Sequence, residues 1–394
     1  MRVNSGNLHE GLRKIIRMFR ESELLREAVK KIHKLAPLAL RKIDGDKIKI
    51  MHVCGTHEHT ITYYGLRSLM PENLELIAGP GCPVCIAPTK VIDESIELAL
   101  NYEATLLTYG DMYKVPGTSM SLAEARSLGG DIKIVYGFLD ALRIAKRNPK
   151  RTHVFLAVGF ETTQPTVASH IVLRTVPSNL KLLVAYRLTV PAVHYVLNQP
   201  DIPLNGIIAP GHVTAITGAK AWKFLPEEYG LPAVVAGFEP LDVILAVLEI
   251  LRQIVEGKPR IFNEYSRVDS WEGNIIAQKY VKEAFDVVDA YWRGIGVLPK
   301  SGLELKDRYR NFDVHSEYDV KIPESIDLPP GCRCGDVTLG KAVPTDCPFF
   351  MKTCTPNTPY GPCMVSSEGT CAVWAKFGGG GKVRELAKVL GLKP

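Results

Sequence analysis

Hydrophobic and polar positions along this chain change rhythm three times. Residues 8–42 mix apolar and basic positions at helical spacing, with Leu8, Leu12, Ile15, Ile16 and Phe19 on one stripe, which predicts an N-terminal helical lead-in. From Lys47 the text turns to short runs rich in Val, Ile, Leu and Ala, each followed by a Gly- or Pro-bearing loop and a helix-like segment. Such alternation argues for parallel sheets. The runs read as strands are 47–53, 74–78, 103–108 and 131–136, then 152–158, 181–186, 205–209 and 232–236. Two sets of four predict an α/β fold with two similar parallel-sheet units, 46–145 and 146–258. Loose near-repeats agree with duplication: Gly159-Phe160-Glu161 returns as Gly237-Phe238-Glu239, and Pro80-Gly81 as Pro210-Gly211. From about Phe262 the βα rhythm stops, and Trp271, Tyr291 and Trp292 accompany expected helices up to Gly294. Beyond Lys300 the text is rich in Pro, Gly and Cys, with too little periodic apolar content for a core of its own, so a metal would supply what packing cannot. The third domain is therefore expected at 259–394, helical and cysteine-rich, with the N-terminal segment 1–45 packed on it. The glycine run 378–381 reads as a joint before a terminal helix.

The bulk composition narrows the function classes. With 394 residues, 46% hydrophobic and 23% charged, the chain can bury a large core and is not a disordered one. A net charge of +6 without a dense run of one sign, beyond short patches such as 143–151, does not imply nucleic-acid binding. No stretch reaches the roughly eighteen apolar residues of a membrane span, and Arg2, Glu10 and Arg13 stand where a signal peptide needs an apolar core. The expected location is the cytoplasm. Nine cysteines there serve metal or redox chemistry more readily than structural disulfides. Three (Cys54, Cys82, Cys85) lie early and six (Cys332, Cys334, Cys347, Cys354, Cys363, Cys371) crowd near the C-terminus, which implies two separate sites.

The C-terminal set includes a ladder of Cys334, Cys347, Cys354 and Cys371 on irregular loops, able to wrap an iron–sulfur cubane. Neither common ferredoxin spacing is present, so four-thiolate zinc stands level with it on the residues alone, and Cys332 and Cys363 leave the choice of four open. The early set begins where strand 47–53 ends, in Cys54-Gly55-Thr56-His57-Glu58-His59-Thr60. A thiol, two imidazoles and a carboxylate at a strand's carboxyl end suit iron, zinc or copper; the plainer alternative is a helix start capped by Thr56 or Thr60, with exposed histidines. Gly79-Pro80-Gly81-Cys82-Pro83-Val84-Cys85 follows, a Cys-x-x-Cys ahead of a helix at 89–100. There the peptide dipoles would favour thiolate and disulfide exchange, with zinc the lesser reading. Asp111, Glu161, His212 and Glu239 close other strand ends. Each could be only a helix cap; together they would line one cleft if the two units faced each other. No Walker loop and no Gly-x-Gly-x-x-Gly follows a strand, which argues against nucleotide binding.

Taken in order, the motifs at 54–60, 79–85, 159–163 (Gly-Phe-Glu-Thr-Thr) and 210–213 (Pro-Gly-His-Val), with the cysteine ladder, resemble the HypD family of [NiFe]-hydrogenase maturation proteins across residues 46–372. The resemblance implies a scaffold, in complex with the small chaperone HypC, on which an iron carrying two cyanides and one carbon monoxide is assembled. It implies Cys54 as an iron ligand with His57 beside it, Cys82 and Cys85 as a dithiol/disulfide, and a [4Fe–4S] cluster on Cys334, Cys347, Cys354 and Cys371. Cyanide would arrive as a thiocyanate on HypE, loaded upstream with HypF, and its release takes two electrons. The dithiol would supply them, and the cluster would refill the dithiol in single steps. Glu161, His212 and Glu239 carry over only as cleft residues. The competing expectation is an iron–sulfur-dependent thiol–disulfide reductase; a zinc-binding structural protein is more remote.

Overall fold

The computed structural model describes residues 23–378; the expected lead-in stripe at 8–19 and the terminal helix beyond Gly381 lie outside them. Among the described residues the strands in chain order are β1 (Ile48–His52), β2 (Leu74–Ala78), β3 (Thr105–Thr108), β4 (Ile132–Ile134), β5 (His153–Gly159), β6 (Leu180–Tyr186), β7 (Gly206–Pro210), β8 (Ala233–Ala236), β9 (Ile261–Asn263), β10 (Phe285–Trp292) and β11 (Gly296–Leu305). Each of the eight expected strands is present within two residues at either end.

Their pairing is not sequential. One parallel sheet has the order β2-β1-β7-β8-β9, the other β4-β3-β5-β6. The chain forms two compact units that cut across the divisions expected at 145 and 258. The first unit joins the stretch ending at Ala78, Pro203–Gly273 and the stretch beginning at Phe377; the second joins Gly79–Ile202 and Asn274–Lys376. The periodicity of a strand reports its burial and not its neighbour, so linear order misled here. The two sheets nevertheless share an order: β2-β1-β7-β8 and β4-β3-β5-β6 each put the second strand outermost, then the first, third and fourth. The near-repeats are not the signature of that likeness. Gly159-Phe160-Glu161 follows the third strand of its sheet, Gly237-Phe238-Glu239 the fourth.

In the first unit β1 is central, and Ile48, Ile50 and Met51 are fully buried, as a parallel strand covered on both faces requires. The helix Glu23–Leu40 buries Ala28, Ile32, Ala36 and Ala39, one stripe at helical spacing, against Pro240–Glu256. It packs inside the first unit, where the apolar length of Pro240–Glu256 offers the matching stripe. Burying Ile32 alone is worth roughly 1.5–3 kcal/mol.

In the second unit β5 is buried at every position between β3 and β6, while the edge strand β4 is only Ile132–Ile134. The segment read as helical up to Gly294 holds the helix Ile275–Ala284 and then the antiparallel hairpin β10-β11. Valine and aromatic residues in Phe285–Trp292 favour the pleated strand, and burial of Phe285, Ala290 and Trp292 turns one edge of it to the core. The C-terminal cysteine segment follows as short helices and turns, including Cys334–Leu339 and Thr370–Phe377.

Candidate functional site

The first unit places its chemistry at one end of its sheet. β2 lies on one side of β1 and β7 and β8 on the other, so the chain reverses direction across the sheet between β1 and β7. Open parallel sheets bind ligands at such a switch point, outside the carboxyl ends of the strands. Cys54 and His57 follow β1, His212 follows β7, and Gly237-Phe238-Glu239 follows β8. Three adjacent strand ends thus bring these motifs together.

Cys54 is half-buried in extended conformation at the N-cap of the helix Gly55–Tyr63, with its carbonyl accepting from Glu58 N at 3.2 Å. Neither threonine caps this helix; Thr60 Oγ1 instead donates to Phe238 O at 2.7 Å. His57 is fully buried rather than exposed. Its Nε2 donates to Gly237 O at 2.8 Å, and burial pushes its pKa down to about 3, so the ring is neutral with its proton on Nε2. Nδ1 is left with a lone pair and no hydrogen-bond partner among the described residues. The ring of Phe238 stacks on His57 at 4.8 Å and on His212 at 3.9 Å between centroids.

Behind this layer, Glu58 is buried, and burial would raise its carboxyl. The Arg67 guanidinium, bidentate at 2.9 and 2.6 Å, and His52 Nε2 at 2.9 Å overcome that and hold it well below the usual range. Gly237 sits where a Cβ would strike Asp242 Oδ2 and come 2.6 Å from Tyr265 Cδ2 and 2.7 Å from Arg267 Nη2, so a larger residue would force these side chains to shift. Its amide donates to Glu264 Oε2 at 3.3 Å. Glu239 is the N-cap of Pro240–Glu256, its amide bound by Asp242 Oδ2 at 3.1 Å, which is the capping role.

In the second unit Cys82 and Cys85 are joined as a disulfide with Cα atoms 5.4 Å apart, both buried. They lie in turns, and the helix Thr89–Leu100 starts four residues later, so the dipole argument for a helix start gives way to a local contact: Cys85 N donates to Cys82 Sγ at 3.1 Å. The Glu161 carboxylate accepts from Thr189 N at 2.8 Å and Thr189 Oγ1 at 2.7 Å, and burial raises its pKa. Asp111 Oδ2 accepts from the hydroxyls of Ser366 and Ser367 and from Ser367 N. Asp111 and Glu161 thus belong to one unit, and His212 and Glu239 to the other.

The ladder cysteines Cys334, Cys347, Cys354 and Cys371 line one pocket, together with Cys332, Phe349, Phe350, Tyr360 and Met364. Cys363 stands behind it, its sulfur accepting from Cys371 N at 3.2 Å and lying in hydrogen-bond contact with Cys334 and Cys371. Burial pushes the Cys354 thiol up, although Tyr360 N donates to its sulfur at 3.3 Å. Among the described residues no three His, Cys, Asp or Glu side chains converge as one metal ion requires. A cubane differs: each iron takes one thiolate, so its ligands surround a cavity instead of meeting at a point. Thiols spread around an apolar-walled cavity, with amides aimed at sulfur, fit that group.

Strand ends could be read from the text, but several site residues could not. His52, the last residue of a mostly apolar strand, and Phe238, in a motif noticed for its glutamate, both carried a signal. Arg67 carried none, since its importance comes from partners that only the fold brings to it, Glu58 above all. Among the described residues no helix is long and apolar enough to cross a membrane.

Residues 23–378 match the HypD family, described as a hydrogenase formation family. A putative hydrogenase expression/formation protein of Methanocaldococcus jannaschii is 45% identical over 90% of this chain and 97% of its own length. The hydrogenase maturation factor HypD of Cupriavidus necator is 38% identical over 93% and 97%, and that of Escherichia coli 41% over 84% and 89%. The chain belongs to the HypD family of hydrogenase maturation factors.

Proposed function

We propose that this chain is the scaffold on which the Fe(CN)2CO group of [NiFe]-hydrogenase is assembled, acting in the cytoplasm with a HypC-type chaperone and with HypE, itself served by HypF. The observation that carries this reading is the first turn of the helix Gly55–Tyr63. A half-buried thiol at its N-cap and a neutral imidazole of fixed tautomer with a spare Nδ1 lone pair stand together at the switch point of a parallel sheet. The iron is cargo: Cys54 offers it one soft thiolate, HypC a second, and low-spin ferrous iron with cyanide and carbonyl accepts both. His57 Nδ1 can only accept, so it serves as a ligand or as a hydrogen-bond acceptor beside the iron.

Releasing cyanide from a thiocyanate on HypE, R–SCN + 2e⁻ → R–S⁻ + CN⁻, needs an electron pair. The reduced Cys82 and Cys85 thiols supply it, losing two protons and forming the bond between their sulfurs. The cavity thiols Cys334, Cys347, Cys354 and Cys371 would hold a [4Fe–4S] cluster, which when bound supplies single electrons. Phe349, Phe350 and Met364 keep that cavity apolar.

Infrared spectra of the chain purified without oxygen together with HypC should show cyanide and carbonyl stretches; their absence from a host that makes active hydrogenase sinks the reading. A second reading, a thiol–disulfide reductase, draws on the disulfide and the cavity thiols sharing one hydrophobic core of the second unit. Cys54→Ala separates the two, since a reductase keeps its dithiol activity and a scaffold loses its cargo iron.

A further inference from the structure

The proposed reaction leaves one buried cation of the second unit without a role. Arg293, in the turn of the β10-β11 hairpin, is only 2% exposed. Its Nε donates to Asp327 O at 2.8 Å, while Nη1 is buried and has no hydrogen-bond partner among the described residues. An idle donor on a buried guanidinium is costly, so its presence calls for an explanation.

The turn that carries it is fixed on two sides. Arg293 N donates to Ile86 O at 3.0 Å, the residue after Cys85. On the other side Gly294, at φ +73°, touches Gly335, the residue after Cys334. A Cβ on Gly294 would come 3.2 Å from Gly335 Cα, and one on Gly335 would collide with Gly294 O. The charged and titratable groups that act on the guanidinium include Asp327, Cys334, Cys332, Asp93 and Tyr291. Both carboxylates are engaged elsewhere. Asp327 Oδ2 accepts from Gly294 N and Tyr291 OH, and Asp93 accepts from Thr118 N, Thr118 Oγ1 and Ser325 Oγ. The thiols of Cys332 and Cys334 are the groups whose charge would change with the redox state of the cavity.

We propose that Arg293 is a positioning residue for the redox chemistry of this unit: its buried positive charge beside Cys332 and Cys334 favours the reduced state of the iron–sulfur group held there, while its backbone ties that end of the cavity to the Cys82–Cys85 loop. The proposal rests on the cluster reading above. An added electron makes a thiolate-bound cluster more negative, and a fixed cation in a low-dielectric setting stabilises that charge, which raises the potential.

The test uses the full chain purified anaerobically as wild type, Arg293→Met and Arg293→Lys, with iron and acid-labile sulfide measured and the cluster followed by spectroscopically monitored redox titration. We expect Arg293→Met to bind metal normally but show at least a tenfold lower reduced-to-oxidised ratio at a fixed potential, equivalent to about 59 mV for one electron. Arg293→Lys should stay closer to wild type. Loss of metal from the Met variant alone, rescued by Lys, would support the same need for charge. Metal-loaded variants that all titrate at the wild-type potential overturn the proposal, as does loss of metal from Met and Lys alike, since Lys keeps the charge. A wild-type chain without iron and sulfide removes the cluster reading itself, an outcome distinct from either.

Discussion

The two units hold reactive thiols by opposite means. At Cys54 the backbone of a parallel sheet does the work: three adjacent strand ends converge, His57 is locked by a carbonyl, Phe238 is clamped between two imidazoles, and a larger residue at Gly237 would force side chains to shift. Around the C-terminal cavity there is no sheet. Five thiols hang from turns and short helices, set in an apolar wall, with the Tyr360 amide donating to Cys354 Sγ. On the function proposed above, the first site accepts and passes on cargo and gains from being shaped in advance, whereas the second would hold a resident group and can leave part of its organisation to it.

The sharpest way to break this comparison is Cys371→Ala. It should lower bound iron and labile sulfide to a small fraction of wild type and open the 332–376 segment to limited proteolysis, with the first unit still resistant. Full iron retention would mean that Cys332 or Cys363 completes the set instead. Next in size, Gly237→Ala should cost about 3 kcal/mol, because the new methyl meets a carboxylate, a ring and a guanidinium that must shift. Chemical denaturation followed from the first unit reads this, and an unchanged midpoint would show that the strand-end cluster is looser than its geometry.

A third prediction concerns pH. Burial raises Asp269, whose carboxylate oxygens lack hydrogen-bond partners among the described residues, from 3.8 to about 7. The folded state then holds a proton that the unfolded state gives up, so this contribution is full below pH 4 and is lost as pH rises through 7. Between pH 5 and pH 8 wild type should lose about 2 kcal/mol that Asp269→Asn does not; parallel curves for the two proteins would rule this out. The smallest effect expected is that of Thr60→Val, about 1 kcal/mol for the lost bond to Phe238 O, with no change in iron at the C-terminal cavity.

Much of the molecule was legible before folding was considered. Strand positions could be read because fully buried parallel strands are continuous apolar runs, and the motifs at 54–60 and 210–213 mark strand ends by their glycines and prolines. The hairpin Phe285–Leu305 was misread, since a half-buried strand with aromatic residues scatters its apolar positions much as an irregular helix does. The plainer alternatives divide: Glu239 is a cap, but His57 is no exposed histidine.

By itself the sequence determined the chemistry available: which thiols, imidazoles and carboxylates exist, and that they fall at strand ends or on loops. Only the tertiary structure decided the company each one keeps. Sheet order is set by long-range packing of surfaces that look alike in sequence, so β1 lies beside β7 across more than 150 residues of intervening chain. From that choice follow His57 with its proton on Nε2, His212 against Phe238, and the separation of Asp111 and Glu161 from His212 and Glu239 into different units.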